Sequence, residues 1–177
     1  MEYNLLTNFI KYGKKIRISV LNNKLILTGP LGSIEKYYNK KNINLLRRNI
    51  VLVKKNFYFA FLKELEKLII GITYGWYFDL AIFGRGFSFR LYQKNEKNYL
   101  KIKIGYSHFV YYELPKTVYV IISKKKNRFL LFGLNFWEVS KIALQIRNIR
   151  SKHTYKIQGI KYFDENIIVK PGKQKQV

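Results

Sequence analysis

The residues best suited to chemistry lie in the last third of this chain. The stretch NFWEVSKIALQIRNIRSKHTYKIQGIKYFDENIIVKPGKQK, Asn135 to Lys175, begins as a helix with an apolar side and a basic end. It continues as an arm in which Lys, Arg and His alternate with Tyr and Phe around one glycine. Cationic side chains neutralise phosphates and release their counterions. Tyr155 and Tyr162 are placed to stack on exposed bases at ~1–3 kcal/mol each, and for Tyr162 packing in a sheet is an equal alternative. Gly159 allows backbone N–H groups close to a phosphate. Arg147 and Arg150 share one helix face, and Lys152, His153, Lys156, Lys161, Lys170, Lys173 and Lys175 follow. Such a segment gains little by folding on itself and much by lying against a polynucleotide. If about 8 cations engage, affinity drops ~10³- to 10⁵-fold between low and moderate salt.

Other chemistries lack their parts. His108 and His153 are the only histidines and there is no cysteine, so no convincing metal set can be assembled. Ser107-His108 is adjacent in sequence, but a triad needs a third, orienting group and none is identifiable. In its loop, His108 suits an RNA contact or a loop hydrogen bond. Gly84-Arg85-Gly86 lacks the third glycine of a dinucleotide fingerprint and sits between strands. Asp79, Glu113, Asp164 and Glu165 are scattered, with no paired acids or Mg²⁺ cage. We therefore expect no catalysis, no cofactor, no metal and no small-molecule substrate. Lys124 to Arg128 is as consistent with a solvated loop as with a binding one.

The composition points the same way. Of 177 residues, 34 are Lys or Arg and 10 are acids, for a formal net charge of +24. Self-repulsion on that scale implies a polyanionic partner, and the surplus is expected to concentrate toward the carboxyl end. With 48% hydrophobic and 17% aromatic residues the chain has core for two compact domains and is no disordered tail. Disulfides and thiolate sites are excluded. A membrane surface is the weaker alternative, because the cations crowd loops and the arm rather than one amphipathic helix. No uncharged run approaches the ~20 residues of a spanning helix. The start, MEYNLLTNFIKYGKK, reads as neither a secretory signal nor an imported presequence.

In the scaffold, Lys15 to Val20, Lys24 to Thr28 and Ser33 to Tyr38 alternate as half-buried strands, with a turn at Asn22-Asn23 and a break at Gly29-Pro30-Leu31-Gly32. Ile43 to Leu46 and Ile50 to Val53 flank Arg47-Arg48-Asn49 as a hairpin. From Phe57 to Ile70 the period becomes helical, and Gly71 reads as the stop. Gly71 to Gly75 is a plausible hinge.

The second half repeats this plan. Trp76 to Phe83, Phe87 to Tyr92 and Tyr99 to Ile104 read as strands, with Gln93 to Asn98 as a polar turn. Gly105-Tyr106-Ser107-His108 interrupts, then Phe109 to Tyr112 and Thr117 to Ile122 resume. Asn135 and Glu138 are spaced as a capping box for a helix carrying Val139, Ile142, Ala143, Ile146 and Ile149 on one side. The fold expected is α+β: two tandem copies of a small antiparallel sheet packed on a helix, residues 1–72 and 73–177, with a basic C-terminal arm.

The chain resembles the large-subunit ribosomal protein L six (uL six) family, of bacterial and organellar type, over almost its full length. The residues that carry the resemblance are Gly105-Tyr106-Ser107-His108 after a strand, Ile146-Arg147, Tyr155-Lys156, Gly159-Ile160-Lys161-Tyr162, Lys170-Pro171-Gly172-Lys173 and, in the first half, Thr28-Gly29-Pro30-Leu31-Gly32. Phe109 stands where the family usually has Pro, Ser151-Lys152-His153-Thr154 where it is Pro-rich, and Lys156-Ile157-Gln158-Gly159 where it has Lys-Gly-Lys-Gly. The resemblance implies a structural role near the sarcin–ricin loop and stalk base of large-subunit rRNA. It implies contact through Tyr106, Ser107 and His108 and through the arm, including Gln158, with neighbouring ribosomal proteins as further partners. An RNA-modifying or RNA-processing enzyme on a basic platform is the alternative. Abundant Lys, Asn, Ile, Phe and Tyr, with Ala only at 60, 81 and 143, match an AT-rich gene. Such a bias suits a gene in an organelle genome or a very AT-rich bacterium, and the expected location is the mitochondrial matrix, with a plastid or the bacterial cytoplasm as alternatives.

Overall fold

A computed structural model describes residues 3–6, 16–21, 24–38, 43–47, 50–54, 58–123, 127–153 and 155–172. The chain divides into two compact units, Met1–Trp76 with Leu134–Phe136, and Tyr77–Gly133 with Trp137–Val177.

The first unit has strands β1 (Tyr3–Leu6), β2 (Arg17–Leu21), β3 (Lys24–Gly29), β4 (Gly32–Tyr37), β5 (Ile43–Arg47) and β6 (Ile50–Lys54), then helix α1 (Tyr58–Thr73). They form two antiparallel three-stranded sheets, ordered β1-β6-β5 and β2-β3-β4. In the second sheet, alternation drives Ile18, Leu25, Leu27 and Ile34 inward. Phe61, Leu65, Leu68, Ile69 and Ile72 of α1 come round at helical spacing to meet them.

The second unit has β7 (Trp76–Phe83), β8 (Ser88–Lys94), β9 (Lys97–Lys103), β10 (Val110–Leu114), β11 (Val118–Ile122), β12 (Arg128–Gly133), α2 (Phe136–Ile149) and β13 (Gly159–Tyr162). Its sheets are β10-β9-β8 and β11-β12-β7-β13. Strand for strand this is the plan of the first unit: β7 stands for β1, the β8–β10 meander for β2–β4, β11 and β12 for β5 and β6, and α2 for α1. Among the described residues β13 alone has no counterpart. Val139, Ile142, Ala143 and Ile146 of α2 pack on Phe89, Leu100, Ile102, Phe129 and Leu131. The tandem α+β architecture is thus as the sequence indicates.

Four local readings change. Gly71 does not end α1; it lies inside the helix, where an added Cβ would come within 2.0 Å of the Leu134 carbonyl oxygen, so close packing explains it. The helix stops after Thr73, and Gly75, at φ +80°, takes the left-handed position. Gln93 to Asn98 is mostly strand: only Asn95 and Glu96 turn, with φ of 49° and 60°, the two-residue hairpin whose twist suits antiparallel strands. Arg128 is no loop residue but opens β12, and the run FLLF behind it is a core strand that the sequence reading passed over. So is β1. Lys15, Asn22, Asn23, Arg48, Asn49, Phe57 and Lys124 to Lys126 lie outside the described residues.

Charge, too, is distributed otherwise than expected. The first unit holds 14 Lys and Arg against 4 acids and the second 20 against 6, so the surplus is spread over both rather than gathered at the carboxyl end.

Candidate nucleic-acid interface

The end of α2 organises the site. A helix leaves its last carbonyls without intrahelical partners. Here the Tyr106 hydroxyl donates to the Ile149 carbonyl at 3.1 Å, and the Ile160 N–H donates to the Arg150 carbonyl at 2.9 Å. The Gly105–His108 loop and β13 are therefore both fastened to one helix terminus. Arg150 completes the junction. Its guanidinium donates to the Ile104 carbonyl and lies 5.3 Å from the Phe87 ring and 5.2 Å from the Tyr106 ring. Gly105 adopts φ +77°, and a Cβ there would meet Phe87 at 2.8 Å. Phe87 also fills the space a Cβ on Gly84 would need, whereas Gly86 borders open space and is a glycine for its φ of +72°.

The loop presents its aromatic surface outward. The Tyr106 and His108 rings are nearly parallel, 14° apart with centroids at 5.9 Å, and both are exposed, as is Ser107. Beyond Arg150 a short turn is closed by the His153 N–H donating to the Gln158 carbonyl at 3.0 Å, while Nδ1 of His153 accepts from the Tyr155 N–H at 3.2 Å. Lys152, His153, Tyr155 and Lys156 stand exposed on this turn. Tyr106, Ser107, His108, Tyr155 and Lys156 share the neighbourhood of one helix end, which their separation in sequence conceals.

The arm does fold back on the unit, contrary to the expectation of a free segment. Residues Gly159–Tyr162 pair antiparallel with β7, Ile160 opposite Ile82 and Tyr162 opposite Leu80. Ile160 is buried, worth about 2 kcal/mol. Gly159 is buried at φ +124°, where a Cβ would sit 2.7 Å from the Ser151 carbonyl oxygen, so its glycine is required by internal close approach. Tyr162 is half-buried, 6.1 Å from the Phe78 ring.

Glu165, scattered by sequence, proves a hub. It accepts from Arg147 at 2.7 and 3.2 Å and from Lys152 at 2.6 Å, and its carbonyl accepts from Lys161 at 2.9 Å. Arg147, then Lys152, hold its carboxyl down to about 2, and Arg147 is raised in return. Arg147 and Arg150, read as one basic face, therefore serve different ends: Arg147 clasps the C-terminal segment and Arg150 the loop. Asp79 makes a similar clasp. It takes the Arg128 Nε at 2.8 and 2.9 Å, and its carbonyl accepts the Phe163 N–H at 2.9 Å. Lys170 is exposed beyond these contacts; Thr154, Lys173 and Lys175 lie outside the described residues. Among the described residues no cluster of three or more His, Asp or Glu could hold a metal ion, and no helix is long and apolar enough to cross a membrane.

No family model matches the chain. It is, however, 31% identical to the large ribosomal subunit protein uL6m of Prototheca wickerhamii over 97% of its own length and 98% of the relative's. The chain belongs to the uL6 family of large ribosomal subunit proteins. The uL6m of Reclinomonas americana is 29% identical over 94% of this chain and 96% of the relative, and the uL6 of Natranaerobius thermophilus 30% over 93% and 94%. Organellar and bacterial members are thus about equally similar to it, and the family indicated by the Gly-Tyr-Ser-His loop is the right one.

Proposed function

We propose that this chain is a structural constituent of the large ribosomal subunit, binding rRNA mainly through its second unit and touching neighbouring ribosomal proteins. It is not an enzyme, since its relatives are ribosomal proteins. The observation that carries the reading is the fastening of the Tyr106–His108 stack and the Lys152–Lys156 turn to one helix end, which holds aromatic rings and cations fixed before RNA arrives. A pre-ordered surface loses little conformational entropy on binding. Tyr106, Ser107, His108, Arg150, Lys152, His153, Tyr155, Lys156, Gln158 and Lys170 are the contacts of this reading, with Lys173 and Lys175 beyond them. Gly159, Lys161, Tyr162 and Arg147 position them from behind, and Arg147 and Lys161 meet phosphate only where Glu165 shares them.

The proposed domains are 1–72 and 73–177, although Trp76 and Leu134–Phe136 cluster with the first unit, and the proposed rRNA target is the sarcin–ricin loop region near the stalk base, as the family resemblance implies. The AT-biased composition and the uL6m relatives support a mitochondrial ribosome. Sucrose-gradient fractionation tests the assignment. The protein travels with large subunits of mitochondria at low salt and leaves them at high salt. Sedimentation at the top of the gradient at every salt concentration would reject it.

A further inference from the structure

The outer face of the β8-β9-β10 sheet takes no part in the interface above. Strand alternation sends Phe89, Leu100, Ile102 and Leu114 into the core, so the residues between them face outward. Register places Tyr92 opposite Tyr99 and Lys101 opposite both Arg90 and Tyr111 on that face. Tyr92, Phe109 and Tyr111 are 45%, 45% and 50% exposed, although nothing polar in the fold requires large rings in water there. The rings of Tyr92 and Tyr111 lie 6.0 Å apart at 63°, and Lys101 Nζ stands 4.0 Å from the Phe109 ring and 5.5 Å from that of Tyr111. Tyr92, Lys94, Tyr99 and Tyr111 border a shallow depression of ≈ 360 Å³. The one acid on the face, Glu113, is held by Lys97 at 2.7 Å, so Arg90, Lys94, Lys101 and Lys103 leave it strongly cationic.

The duplicated fold supplies its own control. The β2-β3-β4 sheet packs an equivalent core, yet among the described residues its outward face, with Ser19, Leu21, Ile26, Thr28 and Ser33, carries one unpaired cation, Arg17, and one aromatic, Tyr37, which lies 4.9 Å from Lys24, itself paired with Glu35 at 3.3 Å. The architecture does not call for the rings or the cations on the second copy. Aromatic rings interleaved with cations on an open sheet suit unpaired RNA, whose bases stack while its phosphates follow the lysines. Phe109 also follows His108 directly, so the face continues the loop surface.

We infer that the outer face of β8-β9-β10 is a second RNA site, for an unpaired stretch whose bases stack on Tyr92, Phe109 and Tyr111 and whose phosphates follow Arg90, Lys101 and Lys103. This rests on the rRNA-binding reading above. A protein segment without acids would have to desolvate these cations unpaired, which disfavours that occupant.

The test uses the full chain with two probes: an oligouridine of about 12 nucleotides and an RNA hairpin duplex of similar length. The Tyr92→Ala/Tyr111→Ala variant weakens oligouridine binding at least about 10-fold while leaving hairpin binding and the melting temperature near wild type. Tyr92→Phe/Tyr111→Phe, which keeps the rings, retains wild-type affinity, and Lys101→Gln lowers it with a shallower salt dependence. Photo-crosslinks from 4-thiouridine fall on the β8 and β10 peptides. Wild-type affinity in the alanine variant, or crosslinks elsewhere, overturns the inference and leaves the face to a protein neighbour. Hairpin binding without oligouridine binding overturns this site alone. Failure of the wild type to bind either RNA overturns the rRNA reading with it.

Discussion

The two units answer the same topology in different ways. Each has a three-stranded meander, a second sheet and one helix, and each carries a positive surplus. In the first unit α1 ends at Thr73 without a basic residue in its last turn, and its partly buried Glu64 is occupied by Lys36 and by the Tyr38 hydroxyl at 3.2 Å. Burial pushes that hydroxyl up to about 12. In the second unit α2 has Arg147 in its last turn and Arg150 just beyond its end, and an added strand with Glu165 behind it gathers loop, helix end and turn into one surface. The copied fold is a support common to both units. What distinguishes a binding unit is the segment added after its helix and the side chains placed on its free face.

The largest effects that would break this comparison come from its two close-packed glycines. Gly71→Ala should destabilise the first unit by more than about 2 kcal/mol, because the clash with Leu134 outweighs the ~1 kcal/mol that alanine gains in a helix. Gly159→Val should cost the second unit at least as much, since φ +124° and the Ser151 carbonyl both oppose a side chain. Unit-resolved hydrogen exchange separates the two losses; a uniform loss in both variants would contradict independent cores.

Next comes Arg150→Ala. It removes the bond to Ile104 and both ring contacts, and should lower rRNA-fragment affinity about 10-fold, with a melting temperature change of a few degrees. Substitution of Arg17, an exposed cation of the first unit, should barely register in the same filter-binding assay.

Glu165→Gln sharpens the contrast further. It should cost about 1–2 kcal/mol of stability in denaturant titration while leaving the first unit unchanged. The carboxyl is held down to about 2 in the folded state against an ordinary 4.5. Its stabilisation is therefore full above about 4.5 and is lost as pH falls from there toward 2. The variant should show a flatter acid limb than wild type over that window; identical limbs would rule out the clasp. The smallest effect is that of Lys156→Ala, a few-fold in affinity with a salt slope reduced by about 0.9.

Much of this was legible beforehand. Period-two and period-four apolar spacing marks most strands and both helices, because a core rewards that spacing wherever it occurs. The Gly-Tyr-Ser-His loop and the Tyr-Lys and Gly-Ile-Lys-Tyr steps carried the family. The FLLF run of β12 escaped because all four residues are apolar, so the half-buried Leu130 and Phe132 give no polar alternation against the buried Phe129 and Leu131. The Gln93 to Asn98 stretch misled because polar residues on an exposed ladder look like a turn.

The duplicated plan, the absence of cysteine chemistry and the need for a polyanion follow from the order and kind of residues, since periodicity and net charge are properties of the chain itself. Which cations are free was decided only by the tertiary structure. Arg147, Lys152 and Lys161 look equivalent to Lys156 along the chain until Glu165 arrives across 18, 13 and 4 residues to take them. Electrostatic pairing acts over a few ångströms of space, and no reading along one dimension measures that distance.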